Sequence, residues 1–348
     1  MRKILWLTTV AGLALLAQGA QDSATAQPTA TLDIYIVDVE GGNATLLVAP
    51  SRESLLIDTG NVAPEAAIRD SERIMAAAKD ARLTQIDNLI ITHWHGDHYG
   101  GLVELAKRIP IRHFIDHGPN VQPAPAVDQF LANVYPQLYA NAKHTVAKPG
   151  DKIAVAGLDV QVVASGGETI KTALPGAGAP NPYCASFKPG PANAEDPMSV
   201  GVYVMFGKFR TIHLGDLTKN KEFELMCPNN RIGAIDLFLG LHHGQNTSNS
   251  EVMIHATHPR VAIMNNGAHK AGSPEAWQTV HDSPGIEALY MVHTAEDSDA
   301  AHNSPEALIA NPKGSGADGA YFKVVAGQDG SFSVFNSRTG VTKDYAHK

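Results

Sequence analysis

The spacing of apolar and polar residues divides the chain into elements whose order can be read directly. LDIYIVDV (32–39) alternates apolar and polar positions, Gly41-Gly42 turns the chain, and ATLLVAP (44–50) runs back. SLLIDTG (54–60) is a third strand ending in an aspartate and a glycine. A helix is predicted from about Pro64 to Lys79, with proline near its start and an alanine-rich interior. IDNLIITH (86–93) reads as a strand, GLVELAKRI (101–109) as a helix and IRHFIDHG (111–118) as the next strand. Strand, helix and strand on short links form a right-handed unit, so these two strands run parallel. Residues 127–140 read as helical and 152–165 as a hairpin.

A stretch rich in glycine and proline, roughly 166–197, is too long for an ordinary connector and is expected to form a lid or substrate-facing loop. The second half repeats the strand pattern at 199–206, 209–216, 234–244 and 260–267, with helices near 219–226, 248–257 and 274–280. A terminal hairpin is centred on Asp329-Gly330. Strand-rich halves with helices outside point to an α/β protein built as a four-layer αββα sandwich.

The first 26 residues stand apart from this pattern. Arg2 and Lys3 precede an apolar run from Ile4 to Leu16, and small residues follow up to Ala24-Thr25-Ala26. That order is expected of a secretory signal peptide, leaving residues 27–348 as a single exported domain, periplasmic or secreted. No later stretch approaches the ~20 apolar residues of a membrane span. The formal net charge is −8, and no block of lysine and arginine marks a nucleic-acid surface. The expected partner is a small-molecule or short polymeric substrate; the oligomeric state is not legible. The two cysteines, Cys184 and Cys227, lack metal-binding spacing, though they could pair in an oxidising compartment.

The chemistry concentrates in THWHGDHYGG (92–101), at the mouth of the strand 86–93. His93 and His95 alternate around Trp94, so two imidazoles can converge on one ion. Asp97 and His98 come at the start of the following helix and can face a second. Histidine and carboxylate donors of this kind suit Zn2+, most simply two ions, with Mn2+ or Fe as alternatives. A metal pair about 3.5–4 Å apart would activate water at neutral pH and polarise an electrophile.

In its H-x-H-x-D-H motif the chain resembles the metallo-β-lactamase superfamily. Leu56-Ile57-Asp58-Thr59-Gly60 looks like that family's first motif, which implies that Asp58 orients a histidine ligand. Leu214-Gly215-Asp216 looks like the strand-end motif whose aspartate bridges two metals, and Leu241-His242-His243-Gly244 like the last ligand histidine. More narrowly, Met198-Ser199-Val200, Gly207-Lys208-Phe209 and the double histidine resemble the hydrolase domain of the DNA-uptake protein ComEC and its soluble relatives. Gly272-Ser273-Pro274 departs from the Gly-His-Pro common there. The resemblance implies a metal-dependent hydrolase acting on an ester, phosphodiester or cyclic amide or lactone, with Asp97 or Asp216 accepting the water proton.

Two points stay open in the sequence. Either His242 or His243 can be the ligand, with His242 favoured by its place directly after the strand. The family's usual third histidine is missing, because Ala164-Ser165-Gly166-Gly167 stands where it is expected. His113, His117, His144, His213, His269, His281, His293 and His302 are spare. The parallel-strand argument brings only His117 to the active edge, as a ligand or a substrate contact, with Asp116 a weaker candidate beside it. The rivals to a hydrolase are an iron-dependent oxidoreductase of the same fold and a binding protein with an eroded metal site.

Overall fold

A computed structural model describes residue 1, residues 30–313 and residues 319–348. The expected signal peptide, residues 1–26, therefore lies almost wholly outside the described residues. Two sheets form the centre. The first runs, edge to edge, Val341–Tyr345, Phe332–Asn336, Phe322–Ala326, Leu32–Ile36, Thr45–Val48, Ser54–Ile57, Asn88–Ile90, His113–Asp116 and Lys143–Val146. The second runs Ile309–Asn311, Ala288–His293, Val261–Met264, Leu237–Leu239, Phe209–His213, Gly201–Phe206, Asp159–Ser165 and Lys152–Ile153, with Glu168–Thr169 paired beside Asp159–Ser165.

Alternation along the strands explains why the sheets stack. Leu32, Ile34 and Ile36 of the first sheet pack with Val160, Val162, Val202, Val204, Leu237 and Leu239 of the second in one buried cluster. The opposite faces carry separate apolar clusters beneath helices: Pro64–Asp80 covers the first sheet, while Lys219–Met226, Glu251–Thr257 and Pro274–His281 cover the second. Helix, sheet, sheet and helix give the four layers read from the sequence.

Within each sheet a parallel block faces the same end of the molecule. Ser54–Ile57, Asn88–Ile90, His113–Asp116 and Lys143–Val146 are parallel in one. Phe209–His213, Leu237–Leu239, Val261–Met264, Ala288–His293 and Ile309–Asn311 are parallel in the other. The C-terminal ends of such strands are where α/β sheets present ligands.

The predicted helix at 101–109 is shorter, Leu102–Ala106, preceded by a separate turn at Gly96–Tyr99. Gly100 and Gly101 allow the chain to pass this point. A Cβ on Gly100 would lie 1.9 Å from the Asn61 carbonyl carbon, and one on Gly101 would lie 2.1 Å from the Thr59 oxygen. The stretch 166–197 is more structured than an open lid. It holds the short strand Glu168–Thr169, the 3-10 turns Pro182–Ser186 and Asp196–Met198, and a disulfide from Cys184 to Cys227.

Candidate metal centre

The predicted ligands, and Asp58 that was expected to orient one of them, fall just beyond parallel strands. Asp58 follows Ser54–Ile57, the His93–His98 loop follows Asn88–Ile90, Asp216 follows Phe209–His213, and the double histidine follows Leu237–Leu239. Asp58, His242 and His243 adopt φ of 64°, 48° and 53°. A non-glycine residue held there costs about 1–2 kcal/mol. Strain at three clustered polar residues is characteristic of a functional site.

The structure brings Asp97, His98, Asp216 and His243 together. His98 Nε2 lies 3.4 Å from Asp97 Oδ2, 3.3 Å from Asp216 Oδ2 and 3.3 Å from His243 Nε2. His243 Nε2 lies 3.2 Å from Asp97 Oδ2 and 3.3 Å from Asp216 Oδ2. Zinc–ligand bonds of 2.0–2.1 Å in a tetrahedron place neighbouring ligand atoms about 3.3 Å apart. These atoms have that spacing, and two imidazole nitrogens at 3.3 Å gain nothing from each other unless a proton or a cation lies between them. The donor set fits a metal ion.

The supports of these ligands are buried hydrogen bonds. His98 Nδ1 lies 2.7 Å from Asp58 Oδ2, so its proton is held there and Nε2 faces the cluster. Asp58 itself accepts from Thr92 N (2.7 Å), Thr92 Oγ1 (2.8 Å) and Asn43 Nδ2 (2.9 Å). Burial alone would push the Asp216 carboxyl up; the imidazoles of His242, His98 and His243 outweigh it and hold the group well below the usual carboxylate range. For His98 burial works downward, yet the carboxylates of Asp216, Asp97 and Asp58 hold it well above an ordinary imidazole.

A second set contains His93, His95 and Asp196, and a third, overlapping one contains Asp196, Asp216 and His242. His93 Nε2 is 3.0 Å from His95 Nδ1 and 3.8 Å from Asp216 Oδ2, so Asp216 Oδ2 faces both groups. The double histidine thus divides its work. His243 joins the Asp97 set, while His242 Nε2 lies 3.2 Å from Asp216 Oδ2 and 3.8 Å from Asp196 Oδ2. Ser248 Oγ gives its only proton to Leu217 O (2.7 Å), so His242 Nδ1, 2.8 Å away, must donate to it. His242 Nε2 is left with a bare lone pair. The sequence preference for His242 over His243 as the ligand gives way to both residues facing the cluster.

His117 falls outside these ligand groups. Its Nε2 is 2.7 Å from Glu195 Oε1, and the side chain is buried. Asp116 is likewise used elsewhere, accepting from Tyr135 Oη (2.8 Å) and Gly118 N (2.7 Å) and pairing with His144 Nε2 at 2.7 Å. Asp38, Glu40 and His293 form a further group, but Arg73 Nη1 already lies 2.9 Å from Asp38 Oδ2 and 3.3 Å from Glu40 Oε1, making it an ion-paired joint.

Sequence reasoning missed Glu195 and Asp196, whose only signal is two acidic residues before Pro197 at the end of the glycine- and proline-rich stretch. It also missed Lys270, whose ammonium pairs with Asp97 Oδ2 across 173 residues of chain. Ser199, singled out for its place before a strand, accepts from Asp216 N at 3.2 Å and lies 3.5 Å from His93 Nδ1.

Comparison with known proteins gives an independent view. Residues 37–177 match the family model described as the metallo-beta-lactamase superfamily. Over 69 residues the chain is 38% identical to an atrochrysone carboxyl ACP thioesterase of Aspergillus terreus, covering 20% of this chain and 20% of that protein. Over 84 residues it is 36% identical to the lactamase-like protein aptB of Emericella nidulans, covering 22% and 26%. The chain thus spans about a fifth to a quarter of the length of these relatives. A metallo-beta-lactamase fold protein of Bacillus subtilis, YhfI, superposes with a TM-score of 0.46 at 9% identity, covering 75% of this chain and 96% of that one. The narrower likeness to ComEC finds no support in these matches.

Proposed function

Because this chain carries a metallo-beta-lactamase superfamily domain, we propose that it is a metal-dependent hydrolase of acyl substrates, with esters and thioesters as the leading class. One observation carries the reading: Asp97, His98, Asp216 and His243 hold their ligand atoms at the mutual spacing of ligands around a single ion. Those four would hold one ion, and His93 and His95, with Asp216 reaching across, would hold another. A bound pair of divalent ions, Zn2+ or alternatively Mn2+ or Fe, would supply acidified water and a Lewis acid for a carbonyl oxygen.

The chain's own residues then do the following. Asp58 fixes the ring of His98 by holding its Nδ1 proton, so that Nε2 is turned to the ion. The bare Nε2 of His242, 3.2 Å from Asp216 Oδ2, is the acceptor placed to take a proton from water. Lys270, at the rim against Asp97, is placed to balance negative charge developing on the substrate oxygen.

An acyl centre is supported by the names of the fungal relatives, thioesterase and lactamase-like protein. The order of residues in 1–26 and the Cys184–Cys227 disulfide support export to an oxidising compartment. The test is a hydrolysis screen of thioester, ester, lactone, β-lactam and phosphodiester probes, each repeated with chelator. Chelator-sensitive turnover of thioesters or esters is expected. Turnover confined to phosphodiesters, or none at all with metal bound, would overturn the acyl assignment.

A further inference from the structure

We propose that Asp196 joins His93 and His95, with Asp216 reaching across, as a protein ligand of the ion on their side, the first ion, and that Glu195, held by His117, is the residue that positions it. This rests on the metallohydrolase reading and extends it to residues at the end of the 166–197 stretch.

The turn Asp196–Met198 sits where the chain lacks a histidine. Strand Asp159–Ser165 is followed by Gly166, whose N–H donates to Met198 O at 2.9 Å. Val200 N donates to Thr92 O, also at 2.9 Å, beside the first ligand histidine. The place left without a ligand in Ala164-Ser165-Gly166-Gly167 is thus filled by the segment that crosses it.

Glu195 and Asp196 serve different partners. The Glu195 side chain is fully buried, and its carboxylate is used up by three donors: Trp94 N at 2.9 Å and His117 Nε2 at 2.7 Å on Oε1, and Val121 N at 3.0 Å on Oε2. These donors belong to the His93–His95 loop and to the segment leaving strand His113–Asp116. One carboxylate therefore locks the 166–197 stretch to both.

Asp196 faces the histidines. Its Oδ2 accepts from Asn193 Nδ2, and Asn193 Oδ1 in turn accepts from Glu195 N (3.1 Å) and Asp196 N (3.2 Å). Its Oδ1 is buried, 2.8 Å from His95 Nδ1 and 3.6 Å from His93 Nε2, and among the described residues it meets no other donor. With His93 Nε2 and His95 Nδ1 themselves 3.0 Å apart, three ligand atoms surround a point at zinc–ligand range. A buried carboxylate needs a cationic or donor partner, and a cation shared by all three atoms is the partner that this geometry suits. A carboxylate in place of an imidazole adds negative charge and a harder donor, favouring Mn2+ or Fe2+ over zinc relative to a three-histidine site.

Metal titration of the chelator-stripped full chain tests this, with bound ions counted by plasma mass spectrometry and folding checked by circular dichroism. Wild type should bind two ions. Asp196→Ala should bind one, with the remaining affinity within about threefold of wild type, and Asp196→His should restore two and raise the zinc-over-manganese preference. His117→Ala should weaken the first ion by roughly 10- to 100-fold and leave the second unchanged. His117→Gln, which keeps an N–H donor, should recover most of that loss. Two ions at wild-type affinity in folded Asp196→Ala would overturn the inference and leave the hydrolase reading standing. Should Asp196→Ala fail to fold, Asp196→His decides: unchanged metal preference overturns the assignment. A wild-type chain that binds no ion removes the reading beneath it.

Discussion

Asp58 and His98 meet through a 2.7 Å contact between Oδ2 and Nδ1, with both side chains sealed from solvent. The left-handed backbone of Asp58, at φ 64°, brings its carboxylate under the ring from the end of a neighbouring parallel strand. That contact decides which nitrogen of His98 meets the cluster.

Asp58→Asn should therefore weaken the ion held by Asp97, His98, Asp216 and His243 by about 10- to 100-fold, because the amide no longer enforces the Nδ1–H tautomer. Competition titration against a chromophoric chelator measures it. The ion on the His93 side should change little.

The two adjacent histidines should separate cleanly. His243→Ala removes a ligand and should cost one of the two ions. His242→Ala should keep the ion held by His243 while lowering kcat by about 100- to 10,000-fold, as loss of a general base does. Ion counts and turnover on the same preparations distinguish them; loss of the His243-side ion in His242→Ala would contradict the division.

Much of this centre is legible in the letters. His93, His95, Asp97 and His98 lie within six residues, and Asp58 and Asp216 follow apolar runs at strand ends. Asp196 is different. It sits in an irregular segment whose place is fixed by Glu195, held in turn from His117, 78 residues away in sequence. Nothing local reports such a tie. His117 reached the right edge by the parallel-strand argument, but which partner it meets there depends on that same distant segment. The strand Ala288–His293 is not legible for another reason: all six residues are buried, so no alternation marks it.

Stability should fall in acid partly through His213. Burial, first of all, lowers its pKa to about 4, and the ring sits between Asn43 Oδ1 at 3.3 Å and Gly215 N at 3.2 Å. A lowered histidine binds its proton more readily in the unfolded chain. Its stabilising share is thus full above pH 6.5 and is lost as pH falls toward 4, amounting to at most about 3 kcal/mol. Urea unfolding in chelator at pH 7.5 and pH 5 should show a smaller difference for His213→Gln than for wild type.

Chelation should lower the melting temperature, since ions that bind only the folded chain stabilise it. At ion concentrations a hundredfold above Kd, each contributes about 2.7 kcal/mol, so a drop of roughly 5 °C or more is expected. An unchanged melting curve after verified metal removal would speak against a site built on folded geometry.

The most direct measurement is anomalous X-ray diffraction from crystals of the metal-loaded protein, collected at the edge of the bound metal. Two peaks are predicted. One lies within about 2.0–2.3 Å of Nε2 of both His98 and His243, and the other lies equally close to His93 Nε2 and His95 Nδ1. A map with no peak between His98 and His243, from protein shown to carry metal, would contradict the account.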